Sequence, residues 1–447
     1  MTELAARPIP ALGKPRTGNL PTVADTTLPS GLRVLAVRRG GVPLVELRLR
    51  VPFAGPTGKA ADSHMARAQL LGDTLLAGTE RRTASQIAIG LQALGGQLHA
   101  SVDADRLGIS GSVLASGYGG MLALLGELLT SASYPKTEVA GERDRVVQEL
   151  AIYRSQAGVT AREALLHRMY GPHPYGHELP LADVVRDVKA SQLRTLHAKQ
   201  VVPAGSILTI VGDVQPARAV AQVEKALRGW TTPARPTQVP PVPPSPTGPA
   251  LLVDRPGAVQ STLRLARSAP PRTSADYPPL SLANMVFGGY FSSRWSANVR
   301  EDKGYTYGTH SSFEHPQAGS RLVMSTDVAT DVTAPALLET LYELGRMTTA
   351  PVGQGELDQA RRYAIGSLQV GAASQGGLAS LLSMLAGSGL GVDYLRHFPS
   401  QLLAVTVDDV ARAASTYLLP RDLTMVIVGD ADVIESAVGT LVAVERR

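Results

Sequence analysis

Val-Val-Pro-Ala-Gly-Ser-Ile-Leu-Thr-Ile-Val-Gly-Asp-Val (201–214) is echoed by Leu-Leu-Pro-Arg-Asp-Leu-Thr-Met-Val-Ile-Val-Gly-Asp-Ala (418–431), with the proline and the Gly-Asp pair in one register. Each copy reads as a β-branched, buried strand closed by a Gly-Asp turn. Between the copies lies Thr-Thr-Pro-Ala-Arg-Pro-Thr-Gln-Val-Pro-Pro-Val-Pro-Pro-Ser-Pro-Thr-Gly-Pro (231–249). Proline at that density forbids helix and central strand and favours an extended spacer. The chain therefore divides into an arm (1–25, rich in Pro, Gly and Thr and read as disordered), a first domain (26–230), the spacer (231–249) and a second domain (250–447). Each domain shows an early strand region, a helical middle and a late strand.

Composition narrows the class. The 447 residues exceed one ordinary core. Hydrophobic residues make up 44% and aromatics only 4%, so the core is mainly aliphatic. A net charge of +5 without long basic runs argues against a nucleic-acid or membrane-surface binder. The absence of cysteine removes disulfides, thiolate metal sites and thiol nucleophiles. With no secretory leader and no long apolar run, the expected location is the cytoplasm.

Several short segments carry a resemblance. Leu-Pro-Ser-Gly-Leu-Arg-Val (28–34) looks like a first strand, Leu-Leu-Ala-Gly-Thr (75–79) like the end of a helix, and Ala-Leu-Gly-Gly-Gln-Leu-His-Ala (93–100) like a helix-to-strand turn. His-Pro-Tyr-Gly (173–176) looks like the loop after a second long helix. In that order they resemble the N-terminal half of the pitrilysin/insulinase family of zinc metallopeptidases. The resemblance implies an α+β fold of two tandem homologous domains, each an antiparallel β-sheet flanked by helices. It also locates the family's zinc motif, His-x-x-Glu-His, at residues 69–73, where this chain reads Gln-Leu-Leu-Gly-Asp.

The register holds while the ligands are gone. Glu149, 76 residues beyond Asp73, stands where the family has its third ligand. In the inverted zincin motif two histidines at i and i+4 reach one ion, and the glutamate between them activates water. Here Gln69 is a poor ligand, Gly72 has no side chain to act as a base, and Asp73 offers only oxygen. Asp73 and Glu149 keep donors of the kind a hard cation takes. The preferred reading is a degenerate site, a helix kept for packing, with no metal or cofactor in this chain. Residues 136–154 read as a helix on which Glu142, Arg145 and Glu149 form a solvated salt ladder. His173 and His177 are separated by Pro174 and Gly176, which places them in a loop rather than on a metal-binding helix.

The second half contains Phe-Gly-Gly-Tyr-Phe-Ser-Ser-Arg-Trp-Ser-Ala-Asn-Val-Arg-Glu-Asp-Lys-Gly-Tyr-Thr-Tyr-Gly (287–308). It is similar to the family's C-terminal signature, a glycine turn leading into a helix and then a strand, with an arginine followed seven residues later by a tyrosine. Arg300 and Tyr307 have that spacing and take the catalytic role the resemblance implies, donation to a peptide carbonyl or its oxyanion. Read without the signature, Arg300 would pair with Glu301 or Asp302, and Tyr307 would fill core. Gly288 and Gly289 either admit substrate backbone or make a turn.

An Arg/Tyr half-site without a zinc half resembles the non-catalytic member of a two-chain peptidase, like the α subunit of the mitochondrial processing peptidase. The expectation is a chain inactive alone. Its partner is a homologous subunit that holds the zinc, its substrate a peptide. The alternative is a purely structural member of the family.

Overall fold

The computed structural model describes residues 22–232 and 234–447. The remaining residues, most of the arm read at 1–25 among them, lie outside the described residues. Six strands form the first sheet: β1 (Val23–Thr27), β2 (Arg33–Arg38), β3 (Leu44–Pro52), β4 (Gly96–Val102), β5 (Arg106–Leu114) and β6 (Ile207–Gly212). Their order is β1-β2-β6-β3-β5-β4. The second sheet comprises β7 (Ala250–Asp254), β8 (Gln260–Ala269), β9 (Thr306–Glu314), β10 (Ser320–Ala329), β11 (Thr424–Gly429) and β12 (Val444–Arg446). Its order is β12-β7-β11-β8-β10-β9.

The repeated segments become β6 and β11, each in the interior of its sheet. Both are buried along nearly their whole length, as strands covered on two faces must be. Neither sheet is wholly antiparallel, as the resemblance implied: β2 pairs β6 in parallel, and β7 pairs both β11 and β12 in parallel. β6 and β11 reach those neighbours only after long helical crossovers, a connection that parallel pairing requires. Residues 28–34, read as a strand, are mainly the turn between β1 and β2. Gly31 there has φ +85°, and the Leu28 amide donates to the Leu32 carbonyl at 2.8 Å. Val23–Asp25, assigned to the arm, already belongs to β1 and pairs with Leu35–Val37 of β2.

Strict alternation along β3 sends Val45, Leu47, Leu49 and Val51 into the first core. The helices Lys59–Thr74, Tyr118–Ser131 and Lys136–Arg154 close that core from one side. The second core gathers Phe287, Trp295 and the helix Thr333–Thr349 against β8 and β10.

The other face of each sheet is covered by a helix from the opposite half. Ala161, Leu165, Leu166 and Met169, one stripe of the helix Ala157–Tyr170, pack on Leu251, Ala266, Val323, Val426 and Val428 of the second sheet. Reciprocally, Leu378, Ala379 and Leu382 of the helix Gln375–Gly387 pack on Leu35, Val37 and Val211 of the first. Among its described residues the proline-rich segment has neither helix nor strand, yet it is strapped to both halves. Thr237 Oγ1 accepts from the Ala54 amide of the first half at 2.9 Å, and the Pro246 carbonyl accepts from Thr424 Oγ1 of the second at 3.3 Å.

Candidate functional site

Gln69, Gly72 and Asp73 sit in the last turns of the helix Lys59–Thr74, which packs beside the edge strand β4. Two of the three side chains answer each other: Gln69 Nε2 donates to Asp73 Oδ2 at 2.8 Å. Gly72 is buried, and a Cβ there would lie 2.9 Å from Val102 Cγ2 on β4. The room a general base needs is thus taken by a valine. Glu149 is engaged in the ladder read from its spacing, since Arg145 bridges Glu142 and Glu149 on the helix Lys136–Arg154. These residues do not fit zinc: an amide, a carboxylate turned to that amide and a glutamate held by arginine replace two imidazoles and a free carboxylate. Among the described residues no three His, Asp or Glu side chains converge as a metal site.

Asp73 senses its new setting. Burial lifts its carboxyl above the ordinary range against the hydrogen bond from Gln69, and the fields of Glu142 and Glu149 push the same way as burial. A raised folded-state pKa stabilises the fold only below that pKa, and the contribution is lost as pH rises through it. Asp73→Asn keeps an acceptor for Gln69 without the charge. It is expected to melt above wild type at pH 7, with the advantage vanishing as the pH falls until Asp73 is protonated in both states. Thermal melts across that range check it; equal melting at neutral pH contradicts it.

A cavity of about 440 Å³ opens beside Gln69 at the junction of the halves. Its walls include Val102–Arg106, Arg162, Tyr175, His177 and, from the second half, Glu314, His315 and Arg321. Tyr175 donates its hydroxyl to Asp105 Oδ1 at 2.5 Å and accepts from the Ala318 amide at 2.9 Å, while Asp105 Oδ2 accepts from the Gln317 amide at 2.9 Å. Glu314 accepts from Arg162 at 2.7 Å and is also paired by Arg321. Burial pushes the Glu314 carboxyl up, but the two guanidiniums more than offset it and hold it low. These groups escaped the sequence reading because the partners are far apart in the chain. Only Tyr175 carried a signal, its place in His-Pro-Tyr-Gly.

The histidines diverge as the loop reading required. His173 donates from Nε2 to the Pro240 carbonyl at 2.9 Å, whereas His177 Nδ1 faces Asp62 Oδ1 at 3.0 Å. His315 is half-buried against Tyr277 and Ser320, and desolvation together with Arg272 lowers its pKa to about 3.

Neither Arg300 nor Tyr307 lines this cavity. Arg300 lies on the helical turn Ala297–Asp302, paired to Glu301 at 2.5 Å, with its guanidinium carbon 4.1 Å from the centre of the Phe291 ring. Tyr307 does not fill core: it is 97% exposed, on the edge strand β9. Tyr305 precedes β9 and is half-buried against the second core. Gly288 is buried, and a Cβ there would meet Trp295 Cε3 at 2.9 Å and Ser311 Cβ at 3.0 Å, so packing explains it. Gly289 is similarly hemmed by the Asn284 carbonyl and Met285 Sδ, both at 3.1 Å.

Residues 67–181 match the family described as insulinase (peptidase family M16), and residues 187–363 match the peptidase M16 inactive domain. The chain belongs to the M16 peptidase family. This M16 chain is 26% identical over 419 residues to an uncharacterized zinc protease of Mycobacterium leprae, covering 89% of this chain and 90% of the relative. It is 23% identical over 206 residues to a probable mitochondrial-processing peptidase subunit beta of Arabidopsis thaliana, covering 46% of this chain and 38% of that one. The solved structure titled peptidase M16 inactive domain from Pseudomonas fluorescens superimposes with a TM-score of 0.83 at 24% identity, over 91% of this chain and 98% of that one. The two-domain α+β fold is thereby shared. No helix among the described residues is long and apolar enough to cross a membrane.

Proposed function

We propose that this chain is the zinc-free, non-catalytic subunit of a two-chain zinc endopeptidase that processes peptides in the cytoplasm. Arg300 and Tyr307 donate to the substrate carbonyl or oxyanion in an active site whose zinc is held by a homologous partner. One observation carries the reading. The helix face that holds zinc in a peptidase of this family is closed by Gln69, Asp73 and Val102, while Tyr307 is presented outward on an edge strand. A phenol exposed in this way is unused within its own chain and available to a neighbour. Nucleic acid and membrane have no part in the reading.

The engagement of Arg300 by Glu301 and Phe291 favours a second reading, a structural member with no part in catalysis. The two separate on mixing. The purified chain is expected to hold no stoichiometric zinc and to cleave no peptide alone. Co-purification with an intact His-x-x-Glu-His homologue is expected to give a stable complex that cleaves peptides faster than the homologue by itself. One tightly held zinc per chain with chelator-sensitive activity in the isolated protein ends the proposal; a homologue fully active alone selects the structural reading.

A further inference from the structure

The alternation that buries Leu49 turns Arg48 and Arg50 to the opposite face of β3, under the helix Gln375–Gly387 from the other half. Between that helix and the sheet lies a cavity of about 200 Å³, lined by Arg48, Arg50, Arg106, Ser101, Ser110 and Ser383 among others, with no carboxylate in its wall. Two of the arginines are engaged. Arg48 pairs with Glu46 at 2.9 Å and donates to Ser380 Oγ at 3.1 Å, and Arg106 pairs with Asp103 at 3.1 Å. Arg50 has no hydrogen-bond or ion-pair partner among the described residues. It lies against the Gly387 backbone so closely that a Cβ at 387 would be 2.4 Å from its Cζ. Burial, reinforced by Arg106, lowers its pKa to about 10, and the fields of Asp103 and Asp105 offset only part of this.

A half-buried guanidinium with no partner of its own, beside a second cation, calls for a counter-ion. The planar fork of arginine matches tetrahedral oxyanions in particular. The hydroxyls of Ser101, Ser110 and Ser383 have no side-chain hydrogen-bond partner among the described residues, and they supply further donors. The volume suits a phosphate group and is too small for a peptide segment. We propose that this cavity binds a phosphate-type oxyanion across the junction of the two halves, with Arg50 as its principal ligand. Since β3, β4 and β5 come from one half and Ser383 from the other, the bound ion ties the exchanged helix to the sheet.

The test uses the full chain in phosphate-free buffer at fixed ionic strength. Titration calorimetry with inorganic phosphate is expected to show saturable binding of one ion per chain, and the melting temperature is expected to rise with phosphate. Arg50→Met is expected to lose that response while melting at or above wild type without phosphate, because it removes an uncompensated charge. Arg50→Lys retains the charge without the fork and is expected to bind about tenfold more weakly, in line with the loss of a charge-assisted hydrogen bond. A parallel titration with O-phosphoserine distinguishes a phosphomonoester ligand, which binds tighter than phosphate, from free phosphate, which does not. Absence of saturable binding to wild type, or equal binding by both Arg50 variants, overturns the proposal.

Discussion

Arg300→Ala and Tyr307→Phe are expected to leave the two-chain complex assembled while lowering its kcat/KM by on the order of 10²-fold each, the usual loss on deleting one oxyanion donor. The surroundings explain why folding should be spared. Tyr307 is 97% exposed and makes no core contact, and Arg300 rests on Phe291 at the surface. Arg300 must exchange Glu301 for substrate, so Glu301→Gln should lower activity little or raise it. Tyr305→Phe is the neighbouring control, since that ring packs against the second core. Steady-state kinetics of the reconstituted complex decide the matter. Both variants within about threefold of wild type, roughly 0.6 kcal/mol, would leave the pair without a catalytic role.

Leu165→Ala is expected to cost about 3 kcal/mol of stability, in the middle of the range for large-to-small core substitutions. Its side chain is 1% exposed and lies where the exchanged helix meets Val426 and Val428 of the other half's sheet. Because each half covers the second face of the other's sheet, the loss should reach both halves together. The chain supplies its own reporters: its two tryptophans are Trp230 in the first core and Trp295 in the second. Denaturant titrations of Trp230→Phe and Trp295→Phe, each carrying Leu165→Ala, are expected to show one shared, lowered midpoint. Separate midpoints, with only one half weakened, would mean that the helix exchange does not couple the halves. Val370→Ala, on a 76% exposed side chain, should stay within about 0.5 kcal/mol.

Much of this was legible in the chain itself. The repeat at 201–214 and 418–431 gave β6 and β11 and with them the tandem design, because β-branched runs ended by Gly-Asp are local signals. The helix at 136–154 and its Glu142-Arg145-Glu149 ladder followed from i, i+3 and i+4 spacing, which any helix enforces. The assignment of Gln69, Gly72 and Asp73 to the zinc-motif positions came from the family resemblance, by counting back from Gly78-Thr79. The strand read at 28–34 failed because Leu28 and Leu32 look like strand residues, whereas Gly31 at positive φ bends the backbone between them.

What the sequence by itself determined are the chemistry and the periodicity: no imidazole at 69 or 73, no base at 72, two strand-helix-strand halves, and an arginine and a tyrosine seven residues apart. The tertiary structure alone decided where those groups point and what they touch. Val102 occupies the space of the missing base, Gln69 turns to Asp73, and Tyr307 faces solvent. Arg162 meets Glu314, and Arg50 lies against the Gly387 backbone. The physical reason is separation along the chain. Local propensities and spacings act over a few residues, but Arg162 reaches Glu314, and Arg50 meets Gly387, only because helices are exchanged between halves, and no periodicity within either half encodes those encounters.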